Sequence, residues 1–242
     1  MNKSIPSKAD IKLIHSLTKK KVREESALFV VEGEKMVAEA LASGLEIEAV
    51  YYRDTIGEEM MSRISLLSSP SPALAVVHQP APDTLKEEGI TLVLDGVRDP
   101  GNLGTILRLA EWFGIENVVC STDCVDVFNP KTVQSTMGTI LRKVPLYTDI
   151  HEFITAERAA GIPVYVTALS GDNIYASGIN RLSRAVFVMG SENNGVSPQI
   201  MSLATGALFI PPFPATCNTG RSESLNVAIA TSILCYELRR PR

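Results

Sequence analysis

The chain has 242 residues, 45% of them hydrophobic and 21% charged, with a formal net charge of −4 and an isoelectric point near 5.5. That balance excludes a disordered chain, which buries too little apolar surface to offset its ordering entropy, and a uniformly basic protein that coats nucleic acid. No apolar run approaches the ~18 to 20 residues that span a bilayer, and the N-terminus lacks the apolar core of a signal peptide, so a cytoplasmic protein with no membrane partner is expected.

Ile11, Leu13, Ile14 and Leu17 recur at helical spacing after Ser7, a capping residue, and predict a helix over residues 8–20 with Lys on its outer face. Around it Lys3, Lys8, Lys12, Lys19, Lys20, Lys21 and Arg23 outnumber Asp10, Glu24 and Glu25. A solvated helix face has that composition, and so does a surface that meets a phosphate backbone. ALFVVEG then reads as a buried strand, EKMVAEALASG as a helix stopped by Gly44, IEAVYY as a second strand, residues 57–67 as a helix and ALAVV as a third strand. These elements form a small α/β domain over residues 1–80. Pro70, Pro72, Pro80 and Pro82, with Asp83, Glu87 and Glu88, mark a linker at residues 81–89.

The alternation restarts at Ile90 and defines a second domain over residues 90–242. TLVLDG, NVVC, KVPLY, PVYVTAL, RAVFVMG and ALFI read as strands. Between them NLGTILRLAEWFG, PKTVQSTMG, DIHEFITAERAAG and a short stretch after Ser197 read as helices, and a last helix runs from about Glu223 to Arg240. Strands alternating with helices imply a mostly parallel sheet covered on both faces, with ligands beyond the carboxyl ends of its strands.

Cys120, Cys124, Cys217 and Cys235 show no C-x-x-C pairing, and His15, His78 and His151 lie far from them. No metal site is expected, and the cysteines read as reduced, buried small apolar residues. The dinucleotide fingerprint, the P-loop and the nucleophile elbow are all missing.

Three polar stretches end apolar runs where the strand ends should lie. In DPGNLGTILRLAEWFG, Asn102 follows a tight turn and opens a helix, a setting that suits an N-cap, while Arg108 interrupts an apolar stripe and would need an anionic partner if buried. In VFVMGSENNGVS, a core strand delivers Glu192 between Gly190 and Gly195. In FIPPFPATCNTGRSESLNVAIA, Ser222 or Ser224 can cap the last helix, and Asn226 falls in its first turn, where Asn is a poor helix former without another task.

Taken together, N-x-x-x-x-x-R, G-x-E-x-x-G and I-P followed by S-L-N resemble, in order and setting, the three motifs of the SpoU (TrmH-like) branch of the SPOUT methyltransferases. The likeness covers roughly residues 90–242, and residues 8–78, with FVVEGEKMVAEAL, look like the RNA-substrate-binding domain that often precedes it, similar to RNA-binding ribosomal proteins. The resemblance implies an α/β fold with a deep trefoil knot, a homodimer, and transfer of a methyl group from S-adenosyl-L-methionine to a ribose 2′-hydroxyl of rRNA or tRNA. The basic first domain favours structured RNA, and rRNA over tRNA.

By motif, the catalytic positions are Asn102, Arg108, Glu192, Ser224 and Asn226, and the cofactor positions are Leu169, Ser170, Gly171, Gly190, Ile210, Pro211 and Leu225. Guanidinium does not readily lose a proton, so Arg108 is given the neighbouring phosphate and the developing alkoxide rather than the role of base. Glu192 then orients Arg108 or Asn102, and Asn102, Ser224 and Asn226 fix the ribose and the loops. Two features depart from the family pattern: PFPATCNTGR lengthens the short I-P-M-x-G link, and Gln134 stands where a basic residue is frequent. The alternatives are a catalytically inactive RNA- or ribosome-binding dimer of the same fold, and an α/β enzyme acting on a small nucleotide.

Overall fold

The computed structural model describes residues 5–213 and 224–241. The chain opens with α1 (Lys8–Ser16), where the Ser7 hydroxyl accepts from the Asp10 backbone and the Asp10 carboxylate accepts from the Ser7 N–H in a capping box. The expected single helix over residues 8–20 ends there. A separate α2 (Lys20–Ser26) follows a break at which Leu17, the C-cap of α1, is fully buried and the Lys19 backbone is extended. Next come β1 (Leu28–Glu32), α3 (Glu34–Ala42), β2 (Ile47–Tyr52), α4 (Arg53–Ile56), α5 (Glu58–Ile64) and β3 (Ala73–His78).

The second series runs β4 (Gly89–Asp95), α6 (Pro100–Trp112), β5 (Asn117–Ser121), α7 (Pro130–Thr136), β6 (Leu146–Thr148), α8 (Ile150–Ala159), β7 (Val164–Asn173), β8 (Arg184–Gly190), α9 (Pro198–Leu203), β9 (Gly206–Phe209) and α10 (Val227–Arg239). Proline at the first position of α6, α7 and α9 starts each helix without losing a needed N–H.

The chain divides into two compact units, Met1–Pro82 with Asp126–Val144, and Asp83–Val125 with Pro145–Arg242. In the first unit β1, β3 and β2 form an antiparallel sheet with β3 in the centre. One of its faces packs Leu28, Val30, Tyr51, Leu74 and Val76 against Ile14 and Leu17 of the N-terminal region and Met61 and Ile64 of α5. The segment 126–144 lies within the sequence range of the second domain, yet it packs with the first unit. Phe128 meets Phe29 with ring centroids 5.0 Å apart, and α7 lies against β1. Arg23, expected on a solvated basic face, is instead buried, with its guanidinium on Asp126 and on the Leu17 carbonyl at 2.7 Å.

The second unit holds a six-stranded, wholly parallel sheet in the order β6-β5-β4-β8-β7-β9. Alternate strand residues Val93, Val119, Val164, Val166, Val186 and Val188 pack against Ile150 and Ile154 of α8 and Ile200 of α9. Each such side chain contributes about 1.5–3 kcal/mol on burial. α6 and α10 pack on each other. Buried Asn117 clamps the Lys86 backbone from both sides, accepting from its N–H and donating to its carbonyl, each at 2.8 Å, which fastens the second half of the 81–89 stretch to this unit. Among the described residues, no helix is long and apolar enough to cross a membrane. Cys120, Cys124 and Cys235 are free and buried; Cys217 lies outside the described residues.

Candidate functional site

Four loops of the second unit meet at the carboxyl rim of its sheet. The turn after β4 is built by side chains that the sequence reading passed over. Asp99, not Asn102, is the N-cap of α6: its carboxylate accepts from the Asn102 N–H at 2.8 Å. That assignment was readable, since Asp before Pro at a helix start is a common cap pattern. The same turn is braced from the loop after β5. The Ser121 hydroxyl accepts from the Gly96 N–H at 2.9 Å and donates to Asp123 at 2.6 Å, and Arg98 pairs with Asp123 at 2.8 Å. The Ser121 hydrogen bond, then the Arg98 bond, hold the Asp123 carboxyl below its ordinary value.

With its own backbone satisfied by Asp99, Asn102 is free to use its side chain elsewhere. Asn226 is the N-cap of α10 rather than a first-turn residue, and its Oδ1 accepts from the Ala228 and Ile229 N–H groups at 2.9 and 3.3 Å. Those N–H groups can only donate, so the Asn226 amide must turn its Nδ2 outward. Nδ2 donates to the Asn102 Oδ1 at 2.9 Å, and this turns the Asn102 Nδ2 onto the Glu192 carboxylate, which accepts from it. The helix cap therefore dictates the direction of the whole chain of amides. Asn102, Glu192 and Asn226, far apart in sequence, are brought together.

Arg108 and Ser224 are not part of this contact. Arg108 lies roughly 9 Å further along α6 at 1.5 Å per residue and about a third of a turn around it, and its side chain is exposed. It has no ion pair or hydrogen bond among the described residues. The condition under which Arg108 would need an anionic partner, burial, is not met. The apolar stripe of α6 faces the core through Leu103, Ile106, Leu107 and Ala110, and Arg108 points away from it. Ser224 is exposed, makes no hydrogen bond among the described residues, and precedes the cap by two positions. Ser222 lies outside the described residues, as does most of the PFPATCNTGR insertion.

The expected cofactor positions fall on three neighbouring strand ends. β7 pairs with β9 up to Thr167 and resumes at Asp172, with both residues opposite Leu208, so residues 168–171 bulge out of the sheet. Leu169 and Ser170 are exposed on that bulge, and Gly171 adopts φ +148 with Ala207 O only 2.4 Å from where a Cβ would sit. Gly190 ends β8. The turn behind it is closed by Ser191 and Gly195, which exchange backbone hydrogen bonds at 3.1 and 2.9 Å, and a Cβ on Gly190 would lie 2.1 Å from the Gly195 and Val196 backbone. Asp95 at the end of β4 accepts from the Ser197 N–H at 2.7 Å and holds the far side of this turn. Ile210 and Pro211 follow β9, and Leu225, half exposed, precedes the cap of α10. At Gly171 and Gly190 the protein's own backbone occupies the space that a side chain would take, so glycine is what lets these strand ends and turns close on one another.

The chain matches the SpoU rRNA Methylase family over residues 89–236 and the MRM3-like substrate binding domain over residues 8–77. It is 30% identical over 245 residues to the 23S rRNA (guanosine(2553)-2′-O)-methyltransferase RlmP of Bacillus subtilis, covering 95% of this chain and 94% of that protein. The tRNA (guanosine(18)-2′-O)-methyltransferase of Thermus thermophilus is 31% identical over 159 residues, 65% of this chain and 77% of that one. Among solved structures, the AdoMet-bound rRNA methyltransferase of Sinorhizobium meliloti superposes with a TM-score of 0.84 at 30% identity, over 98% of both chains.

Proposed function

This chain belongs to the SpoU rRNA methylase family, and we propose that it acts through the loops of its parallel sheet as an S-adenosylmethionine-dependent RNA 2′-O-ribose methyltransferase. The single observation that carries the assignment of roles is the amide chain from the α10 cap through Asn226 and Asn102 to Glu192.

Leu169 to Gly171, Gly190, Ile210, Pro211 and Leu225 hold the cofactor in this reading. Their support is the exposed bulge of β7 beside two further strand ends, with Gly171 and Gly190 where side chains do not fit. When bound, S-adenosylmethionine supplies an electrophilic methyl group. The chain's own part is to present one ribose hydroxyl and to stabilise the charge that develops on its oxygen. Asn102 and Asn226 fix the ribose, Glu192 sets the rotation of the Asn102 amide, and Ser224 contacts the acceptor from the start of the last helix. Arg108 makes no contact with this chain of residues inside one subunit, so it takes the RNA phosphate beside the target ribose and not the proton.

The reading includes a homodimer and the family's trefoil knot. A dimer is supported by an apolar strip on the paired helices: Trp112 is 84% exposed on α6, and Ile229 and Tyr236, one heptad apart on α10, are 54% and 62% exposed. Arg108 precedes Trp112 by one helical turn, so a second copy on this strip would border the guanidinium. An rRNA substrate is favoured over tRNA because the rRNA-modifying relative matches nearly the whole chain, whereas the tRNA-modifying one matches 65% of it. No metal is assigned, and an rRNA substrate goes with the cytoplasm.

The test is incubation of the full chain with methyl-labelled S-adenosylmethionine and total RNA, followed by nuclease mapping of the label. A 2′-O-methyl nucleotide is expected. Bound cofactor with no labelled RNA would replace the enzyme by the inactive RNA-binding dimer. Arg108→Ala should lose about 100- to 1,000-fold in rate, as for removal of a charge-stabilising donor, with cofactor affinity kept; wild-type turnover in Arg108→Ala and Arg108→Lys would sink its role.

A further inference from the structure

At the C-terminal end of α10 lies a polar cavity of about 320 Å³, lined by Tyr175, Gly178, Asn180, Arg181 and Arg240 among others. Two 3-10 turns between β7 and β8, Ile174–Ala176 and Ile179–Arg181, form one wall, and the residues after α10 form the other. The 13 residues of α10 separate its ends by roughly 20 Å at 1.5 Å per residue. Asn226 caps one end and Arg240 follows the other, so this cavity is a helix length away from the Asn102, Glu192 and Asn226 group.

Its backbone is tied down while its side chains are left open. The Asn173 Oδ1 accepts from the Tyr175 N–H at 3.0 Å and sets the first turn, Gly178 at φ +70 opens the second, and Asn180 Nδ2 donates to the Arg240 carbonyl at 3.4 Å. Tyr175 is 52% exposed. The Arg181 side chain is exposed, and its guanidinium has no ion pair or hydrogen bond among the described residues. Arg240 forms an ion pair at 2.8 Å with the buried carboxylate of Glu237, so one guanidinium is charge-compensated and the other is not. The neighbouring Arg184 is already engaged with Glu157 at 3.8 Å.

An open phenol ring beside one held and one unpaired guanidinium matches the two halves of a nucleotide: a base that stacks and a phosphate that takes charge-assisted hydrogen bonds. A carboxylate ligand would use the arginines and leave the ring idle. The volume is at the lower end for ligand sites and has room for one nucleotide unit. The geometry points to a second RNA-contact site, with a phosphate of the substrate RNA on Arg181 and Arg240 and the adjacent base against Tyr175. The site rests on the reading that the substrate is RNA, and it anchors that RNA at a distance from the reacting ribose.

The experiment uses the full chain and a labelled single-stranded RNA decamer carrying 4-thiouridine, crosslinked by light and mapped by mass spectrometry, together with methylation kinetics on total RNA. A crosslink on the Ile174–Arg181 stretch is expected. Tyr175→Ala and Arg181→Ala should each raise the KM for RNA by roughly tenfold with kcat and cofactor affinity unchanged, and Tyr175→Phe should behave as wild type, since stacking needs the ring and not the hydroxyl. Arg181→Ala should also lower the slope of log affinity against log salt by about one. The absence of that crosslink, or a wild-type KM in both alanine variants while the wild type methylates RNA, overturns the site. If the wild type methylates no RNA yet crosslinks through this stretch, the methyltransferase reading fails and the site stands.

Discussion

Asn226 donates from its side-chain amide to the Asn102 carbonyl oxygen at 2.9 Å across 124 residues of sequence, while its own carbonyl oxygen caps the last helix. A single side chain thus joins the start of α10 to the start of α6, and its orientation is set by backbone N–H groups that cannot accept.

This arrangement separates stability from activity. Asn226→Asp keeps a carboxyl oxygen for the cap, and Asp caps helices as well as Asn does, so the melting temperature should stay near wild type. The second oxygen cannot donate to Asn102, whose amide must flip and turn its oxygen toward Glu192. The rate of methyl transfer should fall about fivefold or more, the equivalent of the roughly 1 kcal/mol of one hydrogen bond. Asn226→Ala should lose the rate and about 1 kcal/mol of stability together. Thermal melts beside kcat/KM decide it, and a wild-type rate in Asn226→Asp removes the amide chain from the mechanism.

Gly190→Ala tests the cofactor cradle. The new methyl would lie 2.1 Å from backbone atoms of Gly195 and Val196, which no side-chain rotation relieves. The turn must shift, at a cost of about 1–3 kcal/mol. Calorimetric titration should show S-adenosylmethionine affinity reduced by at least about tenfold; unchanged affinity would take the end of β8 out of the cradle.

The buried Arg23 and Asp126 pair is a structural lock on the segment 126–144. Their side chains are 2% and 16% exposed. Arg23→Ala strands a carboxylate with little water to solvate it and should cost about 3–5 kcal/mol in urea unfolding. Replacing both partners with apolar residues, Arg23→Met with Asp126→Leu, should recover most of that loss. An equal loss in the double variant would mean that the guanidinium bond to the Leu17 carbonyl matters more than the ion pair.

Glu32 gives a pH signature in the first unit. Burial pushes its carboxyl up from the ordinary value, ahead of the opposing hydrogen bonds from Ser65 at 2.6 Å and the Leu66 N–H at 2.7 Å and the charge of His15. A carboxyl raised on folding adds stability that is complete below its unfolded value, about 4.5, and is lost as pH rises through the folded value. The melting temperature of wild type relative to Glu32→Gln should therefore decline as pH climbs from about 4 toward neutrality. A difference that is flat with pH, or that grows toward neutrality, contradicts this.

The strand and helix alternation after Ile90, the glycine-edged strand ends and the three ordered motifs were legible from residue types, because buried parallel strands are written as short apolar runs and tight rims demand small residues. That was enough to identify the sheet and the family. Local pattern could not show that Asn226 is the cap of α10, that Asn226 reaches Asn102, or that Glu192 holds Asn102 rather than Arg108. Nor could it place Arg108 on the exposed side of α6, bury Arg23 on Asp126, or assign residues 126–144 to the first unit. Each of these depends on which groups meet after the sheet has closed. A cap, an ion pair and an amide chain are settled by partners many residues away, whereas periodicity records only which face of an element is apolar.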